Sequence, residues 1–126
     1  MRMLAAVSLW LVMASSAQAN VVRVEILQTT PVAAPADATA IGPFERISGK
    51  IYGELDPNDP KNAIITDIKL APRNAKGRVE YVATFTLVKP VDLSKSSGVL
   101  RYSVVNRGGG QAVPSPDGHI TLVSGW

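Results

Sequence analysis

The chain has 126 residues, 46% of them apolar, with 13 Lys and Arg against 10 Asp and Glu, a formal net charge of +3 and no cysteine. That length fits one domain, and the slight, scattered positive charge excludes the clustered basic face of a nucleic-acid binder. Without cysteine there is no disulfide, thiol nucleophile, thiolate metal site or cysteine-linked lipid anchor.

In chain order, Met1-Arg2 forms a short basic start and residues 3–14 an almost unbroken apolar run. Ser15-Ser16-Ala17-Gln18-Ala19 then supplies a small-x-small cleavage site. A membrane span needs about 20 apolar residues and this run has about 12, so residues 1–19 are read as a signal peptide. The expected destination is the periplasm or the extracellular space, with no membrane anchor left after cleavage. Exported material is expected to begin at Asn20, and N-terminal sequencing that found Met1 retained would contradict this. Residues 20–126 then carry a net charge of +2. A chain of this size buries about two thirds of its surface, enough for a modest core.

From residue 20 onward the apolar period is two, the period of a strand. Val22, Val24 and Ile26 alternate with Arg23 and Glu25. Residues 31–40 are rich in Ala and Pro and read as an extended linker outside the core. Ile47, Gly49, Ile51, Gly53 and Leu55 share a face of the next strand. Asp56-Pro57-Asn58-Asp59-Pro60 is a tight polar turn, its two prolines fixing φ. Ile64, Thr66, Ile68 and Leu70 define a third strand, joined by a hairpin loop at Asn74-Ala75-Lys76-Gly77 to residues 78–89. That last run is apolar or β-branched on both faces, which predicts a central strand with Phe85 buried. Residues 99–105 and 120–123 bring the count to six. No amphipathic helix is visible after Ala19, so the expected class is mainly β.

The chemistry is sparse. His119, after Pro116-Asp117-Gly118, is the only histidine, and no Gly-x-Ser-x-Gly nucleophile elbow occurs. Asp56, Asn58, Asp59 and Asn62 resemble a calcium loop but lack the glycine at its sixth position and the glutamate at its twelfth, so a turn is expected. No cofactor or metal set is legible. What remains is Asn106-Arg107-Gly108-Gly109-Gly110 at the end of a β-branched strand. Glycines there can present backbone N–H groups to an anion, as an oxyanion hole requires, or form a plain connector. Arg107 could orient a carboxylate or face solvent. Ser103 or Ser115 with His119 would be the remaining catalytic pairing, although no base orienter is evident.

Gly42-Pro43-Phe44-Glu45, Leu55-Asp56-Pro57, Leu70-Ala71-Pro72-Arg73-Asn74-Ala75, Val105-Asn106-Arg107-Gly108 and Ser124-Gly125-Trp126 occur in this order. Together they resemble the N-terminal region of the exported bacterial "alpha/beta hydrolase domain" proteins, which are esterase-like. The resemblance implies that residues 99–105 precede the oxyanion loop, with Gly108 and Gly109 as backbone oxyanion donors and Asn106, Arg107 and His119 as loop-site residues. It also implies that the serine, acid and histidine belong to a C-terminal hydrolase portion downstream of Trp126, acting on a small ester-like substrate, so that no catalytic residue lies in this chain.

Two readings follow. One is the mostly antiparallel N-terminal sheet portion of an α/β-hydrolase-like fold, not catalytic by itself. The other is a self-contained secreted β-sandwich that binds a ligand at its loops.

Overall fold

The computed structural model describes residues 20–105 and 110–125. Five strands form one mixed sheet: β1 (Asn20–Val32), β2 (Phe44–Leu55), β3 (Val79–Pro90), β4 (Leu100–Val104) and β5 (Ile120–Gly125), in the order β1-β2-β3-β5-β4. The mainly β class is as the period-two pattern predicts. Among the described residues there is no α-helix, only three short 3-10 turns. The strands make one layer, so the two-sheet sandwich is not the architecture.

β3 is the central strand, as its two-sided apolar pattern implies. It pairs antiparallel with β2 along its whole length and with β5 over Thr84–Val88. β4 and β5 pair in parallel, Leu100 beside Ile120 and Val104 beside Ser124.

Two expectations need correction. Residues 62–71 are not a strand. They run as successive i→i+3 turns, Ile65 N–H to Asn62 C=O, Ile68 to Ile65 and Leu70 to Asp67. Asp67 is left-handed at φ 58, and Ile64 and Leu70 stand 89% and 81% exposed. The physical reason is partnership: both sides of β2 and β3 are already taken, so this run has no ladder to join, and local turns satisfy its backbone instead. The Asn74–Gly77 turn consequently closes on Arg78 rather than joining two strands.

The segment 31–40 also does more than link. Pro31 and Val32 end β1, and Ala38 is buried to 1%. It packs with Phe44, Val88 and Ala112, and Val32, Ala34, Ile41 and Val123 close around them. This core sits at one end of the sheet face that also carries Arg46, Thr86 and Thr121. Only a small residue fits between the sheet and a chain crossing over it, which is why an Ala-rich stretch serves here.

The outer edge of the sheet belongs to β4, every residue of which is exposed, while β5 lies between β3 and β4 and is half-buried.

The opposite face is apolar and largely open. In register, Val24, Ile26, Ile47, Ile51, Ala83, Leu87, Leu122, Leu100, Tyr102 and Val104 all point to it. Val24 and Ile26 are 55% and 56% exposed, and Val104 62%. Phe85 is buried on this face without a covering layer, because its ring lies across Gly49 on β2. A Cβ built on Gly49 would stand 2.8 Å from the Phe85 ring, and one on Gly53 would run into the Tyr81 ring. Each aromatic fills the groove that its paired glycine leaves.

Candidate functional site

The parallel pair begins where two loops interlock. One is Asp92–Gly98 before β4, the other Ser115–His119 before β5. Ser97 N–H and the Ser96 hydroxyl both donate to the Gly118 carbonyl, at 3.1 and 3.2 Å, and Ile120 N–H donates to Val99 C=O at 2.9 Å. Gly118, at φ +72, is pressed so closely on the Lys95 carbonyl that a side chain there would clash. The Asp92 carboxylate accepts from the Ser94 hydroxyl at 2.7 Å and from its N–H at 3.0 Å, and these bonds, the hydroxyl first, hold its pKa below the usual carboxylate value.

At the centre of this clasp Ser97 Oγ lies 2.6 Å from His119 Nδ1, and His119 Nε2 lies 3.8 Å from Asp117 Oδ2. The line of serine, histidine and carboxylate has the chemical order of a nucleophile, base and orienter. Its details oppose that use. At 3.8 Å the carboxylate is beyond hydrogen-bonding distance, and its side chain is 66% exposed. The Ser97 oxygen already accepts the Val99 N–H at 3.2 Å. The surrounding donors are also committed: Ser97 N–H to Gly118 C=O, Gly98 N–H to Ser96 Oγ and Gly118 N–H to Ser115 C=O. The N–H groups of Ser97, Gly98 and Gly118 are therefore not free to receive an oxyanion. What the arrangement does is fix the parallel register.

The histidine's hydroxyl partner is therefore Ser97, neither Ser103 nor Ser115. Ser103 sits in β4 beside Val123. Ser115 is buried, and its hydroxyl has no partner among the described residues. Ser97 went unseen because it is 22 positions from His119 in the chain. The available signal was two matching turn chemistries, Ser96-Ser97-Gly98 and Pro116-Asp117-Gly118, each just ahead of a strand.

Asn106, Arg107, Gly108 and Gly109 lie outside the described residues. Their neighbours Val105 and Gly110 pack against each other at the carboxyl end of β4. Arg46, Thr86, Gly110, Gln111 and Ala112 line a shallow cleft of ≈ 250 Å³, and the Arg46 guanidinium donates to the Ala112 carbonyl at 3.4 Å. His119 is at the amino end of the same strand pair. Five residues at about 3.3 Å each separate the two ends by about 16 Å. His119 and the carboxyl end of β4 are thus too far apart to act on one substrate atom.

Elsewhere the polar groups are structural. Asp56 Oδ1 and Asp59 Oδ1 accept from Asn58 N–H and Lys61 N–H, as turn residues do. Among the described residues no group of three or more His, Asp or Glu side chains converges to hold a metal. On β1 and β2, Tyr52 Oη donates to Glu25 at 2.6 Å while Arg23 lies 3.7 Å over the Tyr52 ring. That hydroxyl first, then the Arg23 and Lys50 charges, lower the Glu25 pKa. Comparison with known protein families, curated proteins and solved structures gives no match.

Proposed function

We propose that this chain is the N-terminal sheet portion of an exported α/β-hydrolase-like protein of esterase type, and that it is not catalytic by itself. The connectivity of the sheet carries this reading. Antiparallel strands β1 to β3 come first, and the chain then lays β4 at the far edge and returns to insert β5 between β3 and β4. An α/β-hydrolase sheet inserts the strand after its oxyanion loop in this way, beside an antiparallel strand. The glycine run follows β4 at its carboxyl end, the end at which open α/β sheets bind ligands. His119 stands at the other end, and the described residues around the cleft supply neither nucleophile nor general base. The open apolar face agrees with a sheet whose covering layer belongs to another portion of the protein.

The purified chain is expected to show no turnover of p-nitrophenyl acetate, and His119→Ala is expected to leave that result unchanged. Ester turnover abolished by His119→Ala would overturn the proposal. Sequencing the gene past the Trp126 codon tests it independently. A frame that continues to a Gly-x-Ser-x-Gly motif supports it, whereas a stop codon there favours a self-contained binding sheet.

A further inference from the structure

Beyond the Phe44 core, the face of the sheet that carries it turns polar, and Arg46 stands at the boundary. Register places Thr30, Val88, Thr121 and Arg101 in the same row as Arg46. None of these is an acid. The row on one side is the apolar Val32, Phe44 and Pro90, and the row on the other runs through Gln28, Ser48 and Thr86 without a carboxylate.

Arg46 is half-buried in this neutral setting. A charge taken out of water needs an opposite charge or a full set of hydrogen bonds, and among the described residues Arg46 has neither. It takes part in no ion pair there. Its guanidinium donates to the Ala112 carbonyl at 3.4 Å, beyond the usual range for such a bond. A guanidinium has five N–H donors, so most of the fork is uncommitted. Lys89, also half-buried but on the opposite face, shows the contrast, because Glu45 pairs with it.

The ≈ 250 Å³ cleft opens beside that fork. Arg46 and Thr86 come to it from the sheet, and Gly110, Gln111 and Ala112 from the segment that crosses over the sheet. Its polar side chains are a guanidinium, a hydroxyl and an amide, and no acid lines it. The next cations on this face are distant. Lys50 lies four residues along β2, about 13 Å away, and Arg101 three strands across, about 14 Å away. One guanidinium therefore meets the cleft alone and balances a single negative charge. The volume falls below the roughly 300–1,000 Å³ of pockets for drug-sized ligands, which restricts the ligand to a few heavy atoms.

We propose that this cleft binds the carboxylate of a small organic acid. The Arg46 fork takes its two oxygens, a planar match that arginine makes and lysine does not, and the Thr86 hydroxyl donates to one of them. The site lies on the face opposite the open apolar one, so a layer covering that face leaves it accessible. It does not depend on the function proposed above.

An NMR titration of the chain with sodium propionate, against sodium chloride at equal ionic strength, tests this. The backbone amide signals of Thr86, Gly110 and Gln111 are expected to shift saturably, with a millimolar dissociation constant for so small a ligand. Methyl propionate, which lacks the charge, is expected to leave them in place. Arg46→Lys keeps the charge but loses the fork, and is expected to weaken binding at least about tenfold. Thr86→Val keeps the shape but loses the hydroxyl, and is expected to weaken it about threefold. Shifts that do not saturate through tens of millimolar propionate overturn the proposal, as does binding that both variants leave unchanged. Tighter binding of inorganic phosphate than of propionate overturns the assignment to a carboxylate. None of these outcomes bears on ester turnover, so the two proposals fail separately.

Discussion

Phe44→Ala is expected to destabilise the fold by about 3–5 kcal/mol, the range for deleting a fully buried aromatic. Phe44 has no exposed surface, and it is held between the sheet and two crossing segments through Ala38, Val88 and Ala112. Neither Ala38 nor Ala112 can grow to fill the space, so a cavity remains and its walls lose their contacts. Domains of this size have about 5–15 kcal/mol of stability in total, so the loss removes a large share of it. A thermal melt should fall by at least about 12 °C. Phe85→Ala makes a useful contrast. Its ring lies in a groove on the open face, where truncation leaves a furrow that water can enter rather than a sealed void. Its cost is expected near the lower limit, about 3 kcal/mol. A shift for Phe44→Ala smaller than that for Phe85→Ala would mean that the core is not where the packing puts it.

Gly49→Ala is expected to be about as damaging as Phe85→Ala, although it adds only a methyl group. The new Cβ would collide with the Glu25 main-chain carbonyl and stand 2.8 Å from the Phe85 ring. Neither neighbour can yield cheaply. The carbonyl belongs to the β1 backbone just before its bulge at Ile26/Gln28, and the ring is itself buried. Overpacking of this kind costs about 1–3 kcal/mol and more when backbone must move, so a loss of about 3 kcal/mol is expected in chemical denaturation. Gly42→Ala serves as the control for backbone strain alone, since its φ is +86 and nothing lies within 4 Å of an added Cβ. If Gly42→Ala were the more destabilising of the two, conformational freedom and not close approach would be the reason for glycine at 49.

The contrast between these two sites shows what a sequence can and cannot carry. Alternation identified β2, β3, β4 and β5 because each has a partner that rewards it. It misassigned residues 62–71, where Ile64, Ile68 and Leu70 alternate just as well but no sheet edge was available. Pairing is a property of the whole topology, and a seven-residue window does not contain it. Ala38 was missed for a related reason, since an alanine between prolines gives no apolar signal and its burial comes from the chain passing over Phe44. Of the candidate site, the strand that leads into the glycine run was legible from its β-branched residues. The bond between Ser97 and His119 was not, because it joins two loops brought together only when β4 and β5 align. Their placement at the opposite end of the pair from Val104 likewise depends on its parallel direction.

The rings lying across Gly49 and Gly53 make these two residues spectroscopic reporters. Their α-protons lie within the ring currents of Phe85 and Tyr81, and their chemical shifts should stand apart from those of the solvent-facing glycines at 42, 77 and 98. The displacement exists only while β2 and β3 hold their native register, because a slip of one residue would turn both rings to the other face. Two resolved glycine signals would therefore follow the alignment of the central hairpin residue by residue, during unfolding or on association, without any label on the chain.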